Sequence, residues 1–316
     1  ALFRSAALRV VARRGAEGPL PFLRRSLGRS DLAWLAGVLR GERATVVHLH
    51  TFASQVLGTR AALAAGLPVV RTEHSTRAFV DPTCWPFARW SLARAAASVA
   101  VSWHVRDVAL ARAPWLASRA RVVPNGVDLA RFADDGGPAD GPLRLVVVGR
   151  LEPRKGVDVA IEVAARVPSL RLDVVGDGDL RAALEQKARR LGATDRVRFL
   201  GYLDDVRPAI ARCHALLCTS RTEGLGLALL EGMAMGRPVL GFRVGGASEI
   251  ADAELGAWLT DAGDMDALAA VVSRAADDPA RLRALGPRAR ARVVERFSAR
   301  AMRDAYARTY REVVAS

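Results

Sequence analysis

Two doubly wound α/β domains joined by a short linker are predicted for this chain by three observations. Short apolar runs alternate with amphipathic stretches, the pattern of parallel strands covered by helices on both faces. One stretch, Asp134-Asp-Gly-Gly-Pro-Ala-Asp-Gly-Pro142, can continue neither a helix nor a strand. In the second half, strand candidates end in glycines and charged side chains, where open α/β sheets bind ligands.

Composition fits that class. The chain has 316 residues, of which 51% are apolar and 25% charged, a globular balance with room for two cores. Its three cysteines, Cys84, Cys213 and Cys218, form no CxxC pair, which excludes a disulfide scaffold and points to a reducing compartment. No run approaches the roughly 18 apolar residues of a spanning helix. A cytoplasmic protein is therefore expected.

The formal charge is +14, from 47 basic and 33 acidic residues. Residues 1–140 hold 19 basic and 10 acidic groups, net +9; residues 141–316 hold 28 and 23, net +5. The excess leans toward the first part, where an anionic acceptor or a membrane surface would be met. Only Lys155 and Lys187 are lysines, so codon bias accounts for the arginine excess as well as a nucleic-acid face would. A solvated arginine-rich surface is the plainer reading, and no nucleic-acid partner is expected. The basic stretch 21–27, followed by Trp34, reads as a helix packed on the sheet, with rest on an anionic bilayer as the second reading.

In the first half, strands are expected at 44–50, 67–71, 97–102 and 121–124, with a helix over 85–96. A strand-like run, Leu8-Arg-Val-Val-Ala12, precedes them. In the second half, strands are expected at 143–148, 170–175, 197–200, 215–219, 238–242 and 255–259. Helices fill 180–191 and 227–235 among the gaps. Residues 279–316 read as amphipathic helix with Phe297, Met302, Tyr306 and Tyr310 as anchors. The domains are thus 1–133 and 143–296, with the linker at 134–142 and a C-terminal helix at 297–316 that crosses back toward the first domain.

The strand ends of the second domain carry the chemistry. They deliver Gly149, Arg150, Lys155 and Gly156; then Gly176 and Gly178; then Glu223, Gly224, Leu225, Gly226 and Leu227; then Gly245 and Gly246. Glycines let backbone N–H groups approach a diphosphate without a Cβ between. Gly224 and Gly226 sit ahead of a helix start, where the dipole favours an anion. Arg150 and Lys155 would neutralise a departing diphosphate without a metal. A carboxylate only accepts hydrogen bonds and a vicinal diol offers two donors, so Glu231 suits a ribose and Glu223 a sugar hydroxyl. Each residue has a plainer reading as surface charge or turn glycine. Glu231 resists it, because an unpaired carboxylate on an apolar helix costs several kcal/mol to bury.

At these residues the sequence resembles the family 4 nucleotide-sugar glycosyltransferases, with the GT-B fold. The run Glu223-Gly-Leu-Gly-Leu-Ala-Leu-Leu-Glu231 matches the family's pair of acids enclosing seven residues. Gly149-Arg150, Arg154-Lys155-Gly156, Val175-Gly176-Asp-Gly178, Phe199-Leu-Gly201, Gly245-Gly246 and, ahead of the linker, Pro124-Asn-Gly-Val-Asp128 stand in the family's order. The resemblance implies two Rossmann-like domains facing a cleft and transfer of a hexose-type sugar from a UDP- or GDP-linked donor. The acceptor would be a hydroxyl on a glycan, a lipid or a small molecule. Arg150 and Lys155 would contact the diphosphate, Glu231 the ribose, Glu223 the transferred sugar, and the backbone around Tyr202 and Leu203 the base. His74, in Arg71-Thr-Glu-His74, would face the donor sugar near the anomeric carbon. His48 and His50 are acceptor-side at most.

The resemblance also implies retention of configuration. A double displacement needs a carboxylate nucleophile, which the sequence does not identify, so a same-face reaction stays equally open. No cofactor beyond the donor and no metal is expected. Asp177-Gly-Asp179 belongs to a glycine turn, and Asp264-Met-Asp266 to a helix start. The family opens with a strand and a glycine-rich loop, whereas no Gly-Gly loop precedes Leu8, so the first domain is expected to lack its opening strand. A sugar-nucleotide epimerase of the same fold and a non-enzymatic binder of anionic polymer are the competing readings. A dinucleotide oxidoreductase is excluded, because Gly224-Leu-Gly226-Leu-Ala-Leu229 lacks the third glycine.

Overall fold

The structure is a computed structural model and describes residues 24, 26–50, 52–133, 136–138 and 141–315. The expected strand at 8–12 and most of the stretch 21–27 lie outside the described residues. The chain divides into two compact units. The first comprises Ala1–Pro124 with Arg303–Ser316, and the second Asn125–Met302.

In the first unit, β1 (Val47–Leu49), β2 (Val69–Glu73), β3 (Ala97–Ala100) and β4 (Ala120–Val122) form a parallel sheet in sequential order. All five residues of β2 and all four of β3 are buried, as strands covered on both faces are, with the charges of Arg71 and Glu73 paired within β2. Two apolar clusters pack the unit. One gathers Val47, Leu49, Ala62, Val69 and Ala95; the other gathers Phe79, Ala88, Leu92, Ala109 and Leu116. Fully burying each of the Val, Leu and Phe side chains among them contributes about 2 kcal/mol. The expected helix 85–96 stops at Leu92, because Ala93–Ala96 turn directly into β3.

In the second unit, β5 (Arg144–Val148), β6 (Arg171–Val175), β7 (Val197–Gly201), β8 (Ala215–Cys218), β9 (Val239–Phe242) and β10 (Leu259–Thr260) form a six-stranded parallel sheet. Its order is β10-β9-β8-β5-β6-β7. The chain runs outward from β5 through β6 to β7, then returns to place β8 on the other side of β5. The carboxyl ends of β5 and β8 therefore flank the topological switch point, where such sheets leave a crevice.

Three expectations need correcting. The strand expected at 255–259 is instead a helical turn, Ala253–Gly256, followed by the two-residue β10. The Asp252 side chain caps that turn by accepting from the Leu255 N–H at 3.1 Å. The helix expected over 279–316 is three helices, Pro279–Ala284, Gly286–Arg296 and Ala299–Ala315. It breaks at Phe297, which is buried, and at Ser298, which bridges to Val127. That bridge also moves the domain boundary from 134–142 to Pro124. Val127 donates to the Phe297 carbonyl at 2.8 Å and accepts from the Ala299 N–H at 2.9 Å, so residues from Asn125 onward belong with the second unit.

Candidate active site

The loops leaving β5, β6 and β7 are tied together by main-chain hydrogen bonds. Gly149 N–H donates to Val175 O at 3.0 Å, Leu151 N–H to Asp177 O at 2.9 Å, and Gly176 N–H to Gly201 O at 2.8 Å. This lacing leaves no room for side chains. A Cβ on Gly176 would stand 1.9 Å from the Gly149 carbonyl oxygen, at a φ of +134° that L-residues avoid. The three loops enclose a cavity of about 540 Å³. Gly149, Arg150, Gly176, Gly178, Tyr202 and Leu203 line it, with Asp177, Asp179 and Val206. Arg150 is exposed, and Tyr202 is 73% exposed at the edge. The sequence identified the glycines and Arg150 but not Val206, whose apolar side chain carries no chemical signal of its own.

The loops after β5 and β8 are laced in the same way across the switch point. Arg221 N–H donates to Arg154 O at 2.8 Å, and the Thr219 hydroxyl to Lys155 O at 3.3 Å. That places Lys155 Nζ 2.6 Å from Glu223 Oε2, and Ser220 donates to the same oxygen at 3.3 Å. Lys155 is 18% exposed and Glu223 11%, so the pair is screened less than a surface ion pair. The methylenes of Lys155 run past Gly149, where a Cβ would meet Lys155 Cε at 3.3 Å. Gly246 N–H holds the Glu223 carbonyl at 3.0 Å, joining the β9 loop to the group. Sequence reading named Lys155 and Glu223 separately. Their pairing, and the part of Ser220, depend on strand order.

Gly224, Leu225 and Gly226 are buried, and Gly226 at φ +85° starts the helix Leu227–Ala234. Leu227 is 38% exposed, and Glu231 lies one turn beyond it on the same side. Burial pushes the Glu231 carboxyl up to about 7, with the Arg131 charge pulling in the opposite direction. Arg131 carried no motif, and only folding identifies it as Glu231's electrostatic partner. The first acid of each Asp-x-Asp pattern accepts a main-chain hydrogen bond. Asp177 Oδ1 accepts from the Gly178 N–H at 2.8 Å, and Asp264 caps the helix Met265–Asp277 through the Ala267 N–H at 2.9 Å. Among the described residues, no group of three His, Cys, Asp or Glu is placed to hold a metal ion.

The expected histidine lies in the first unit, considered by itself. His50 follows β1 and His74 follows β2, with His50 Nδ1 3.1 Å from His74 Nε2. One ring donates and the other accepts, so a second proton on this pair would set two N–H groups against each other. Burial lowers the pKa of His74, while burial and then the His74 charge lower that of His50. His48 is pulled down to about 3, chiefly by burial. It is held between Tyr310 Oη at 2.6 Å and Thr72 Oγ1 at 2.7 Å. Beneath them, Arg71 and Glu73 form a buried pair at 2.6 Å. His48 is therefore a satisfied structural residue, fixing the last helix to β1 and β2.

Residues 131–292 match the family described as Glycosyl transferases group 1, and residues 3–131 match Glycosyltransferase Family 4. The lipopolysaccharide core biosynthesis glycosyltransferase LpsE of Rhizobium meliloti is 36% identical over 170 residues, covering 54% of this chain and 49% of that protein. The 2-deoxystreptamine glucosyltransferase of Streptomyces kanamyceticus is 30% identical over 310 residues, covering 84% of this chain and 79% of that protein. The chain spans about half the length of the first curated relatives it matches. Among solved structures, Anabaena HepE in complex with UDP and glucose superposes with a TM-score of 0.81 at 22% identity, over 90% of this chain and 82% of that one. Sucrose-phosphate synthase from Thermosynechococcus elongatus gives 0.78 at 26% identity, over 94% and 82%. With both halves of the sequence matched and the GT-B fold shared, the chain belongs to the family 4 glycosyltransferases.

Proposed function

We propose that this chain transfers a hexose-type sugar from a UDP- or GDP-linked donor to a hydroxyl of a glycan, lipid-linked or metabolite acceptor. Configuration is retained, no metal or further cofactor is used, and the reaction takes place in the cytoplasm, with peripheral contact to the membrane. The observation that carries this reading is the Lys155–Glu223 pair at the switch point, beside a cavity edged with glycine backbone. The relatives' names and the UDP-bound neighbour support it.

Each residue then has a physical task. The donor diphosphate meets Arg150 and the open N–H groups of the glycine loops. It competes with Glu223 for the Lys155 ammonium, and the released carboxylate accepts hydroxyls of the transferred sugar. Glu231 accepts the two ribose hydroxyls, and the Tyr202–Leu203 backbone meets the base. Charge gathers on the leaving diphosphate as the glycosidic bond breaks, and the fixed cations stabilise it there. His74 hydrogen-bonds the donor sugar near the anomeric carbon.

Saturation-transfer NMR with UDP and GDP, followed by mass spectrometry of reactions with their sugars and a panel of acceptors, tests the proposal. Base and ribose contacts, an added hexose mass, a retained anomeric coupling and indifference to EDTA are expected. Lys155→Ala should lower kcat/KM by roughly 100-fold or more. Absence of nucleotide contacts would sink it, and conversion of the donor without any acceptor would favour an epimerase.

A further inference from the structure

The carboxyl ends of β1 and β2 set two imidazoles against each other. The strands pair in parallel with Leu49 beside Arg71, so the segments that leave them are neighbours. His50 stands on one and His74 on the other. Their rings lie 28° from parallel, and His50 Nδ1 faces His74 Nε2 at 3.1 Å, where solvent reaches both residues. His48, whose ring centroid is 4.0 Å from that of His50, braces it. Both nitrogens of His48 are engaged, with Tyr310 and Thr72, so it steadies His50 without joining the pair.

The spacing is close to what a tetrahedral zinc ion requires of two imidazoles. Zn–N bonds of about 2.0–2.1 Å at a tetrahedral angle place the nitrogens about 3.3–3.4 Å apart. A small turn of either ring opens the gap that far and swings both lone pairs toward the ion. The ring that donates in the free pair moves its proton to its outer nitrogen, so the ion enters with no net proton lost. Other ligand types are hidden or engaged. His214 is 4% exposed and accepts from the Arg144 N–H at 3.1 Å, and Cys84, Cys213 and Cys218 are buried. Glu73, next to His74 in the chain, is 4% exposed and paired with Arg71 at 2.6 Å. Water therefore completes the coordination, which makes the site open and exchangeable.

We propose that His50 and His74 form a two-histidine site for Zn2+, and that the bound ion is a brake on sugar transfer. The transfer reaction has no need of the ion, which acts only by holding the His74 ring away from the donor sugar. Imidazole favours zinc over Mg2+ and Ca2+, which take oxygen ligands. The brake rests on the transferase reading, whereas the site does not.

Calorimetric titration of the full chain, stripped with EDTA and dialysed, tests the site. A single Zn2+ should bind per chain, and Mg2+ should not bind. His50→Ala and, separately, His74→Gln should each weaken zinc binding roughly 10-fold or more, and His104→Ala should bind zinc as the parent does. Thermal melting without zinc checks that each variant is folded. In the transfer assay zinc should slow the parent and EDTA should restore it, and His50→Ala should need about 10-fold more zinc for the same slowing. No zinc binding, or unchanged binding by either folded variant of the pair, would overturn the site whether or not sugar is transferred. Zinc bound at the pair without slowing transfer would overturn the brake.

Discussion

Glu231 shows at the level of a single side chain what burial does to chemistry. With its pKa near 7 against an ordinary 4.5, it holds a proton more tightly in the folded chain than in the unfolded one. Its contribution to stability therefore declines as pH rises from about 4.5 to 7 and is level above that. Nucleotide binding has the opposite dependence, because only the ionised carboxylate accepts from both hydroxyls of a diol. Affinity for the parent nucleotide should fall roughly 10-fold between pH 8 and pH 6. In Glu231→Gln it should be weaker throughout and flat with pH, as calorimetric titration would show. Glu231 was legible in the sequence because it interrupts an apolar helix. The Lys155–Glu223 pair was not, since 68 residues separate its members and only the placement of β8 beside β5 brings them to 2.6 Å.

At the level of strands and loops, the glycine positions explain why the cavity exists. Gly176→Ala would put a methyl against the Gly149 carbonyl, with backbone on both sides and nothing flexible to yield. Chemical denaturation should show a loss of several kcal/mol or failure to fold. Gly192→Ala, also at positive φ but with open space around it, should cost only about 1 kcal/mol. Strands with continuous apolar runs, such as β5, β6 and β8, were readable within a residue or two. The error at 255–259 has a local cause. Leu255 and Trp258 are apolar and buried, yet one sits in an Asp252-capped turn, which an apolar pattern cannot distinguish from a strand.

For the molecule as a whole, the sequence carried the two-domain plan but not where the units part. The glycines and prolines of 134–142 mark a loop, whereas the boundary depends on how Val127 bonds with residues near 298, which composition does not record. The last helix, Ala299–Ala315, starts in the second unit and ends in the first. Removing residues 303–316 would take Tyr306 from Thr72 and Tyr310 from His48. Calorimetry should then show one transition lowered or lost and another unchanged.

That same helix has a consequence for biogenesis. Everything the second unit needs has been translated by Met302, while the first still waits for the stretch beginning at Arg303. On the ribosome the order of completion is thus inverted: the domain whose synthesis starts first is the one that closes last, its four strands in place by Val122 while His48 and Thr72 still wait for Tyr310 and Tyr306.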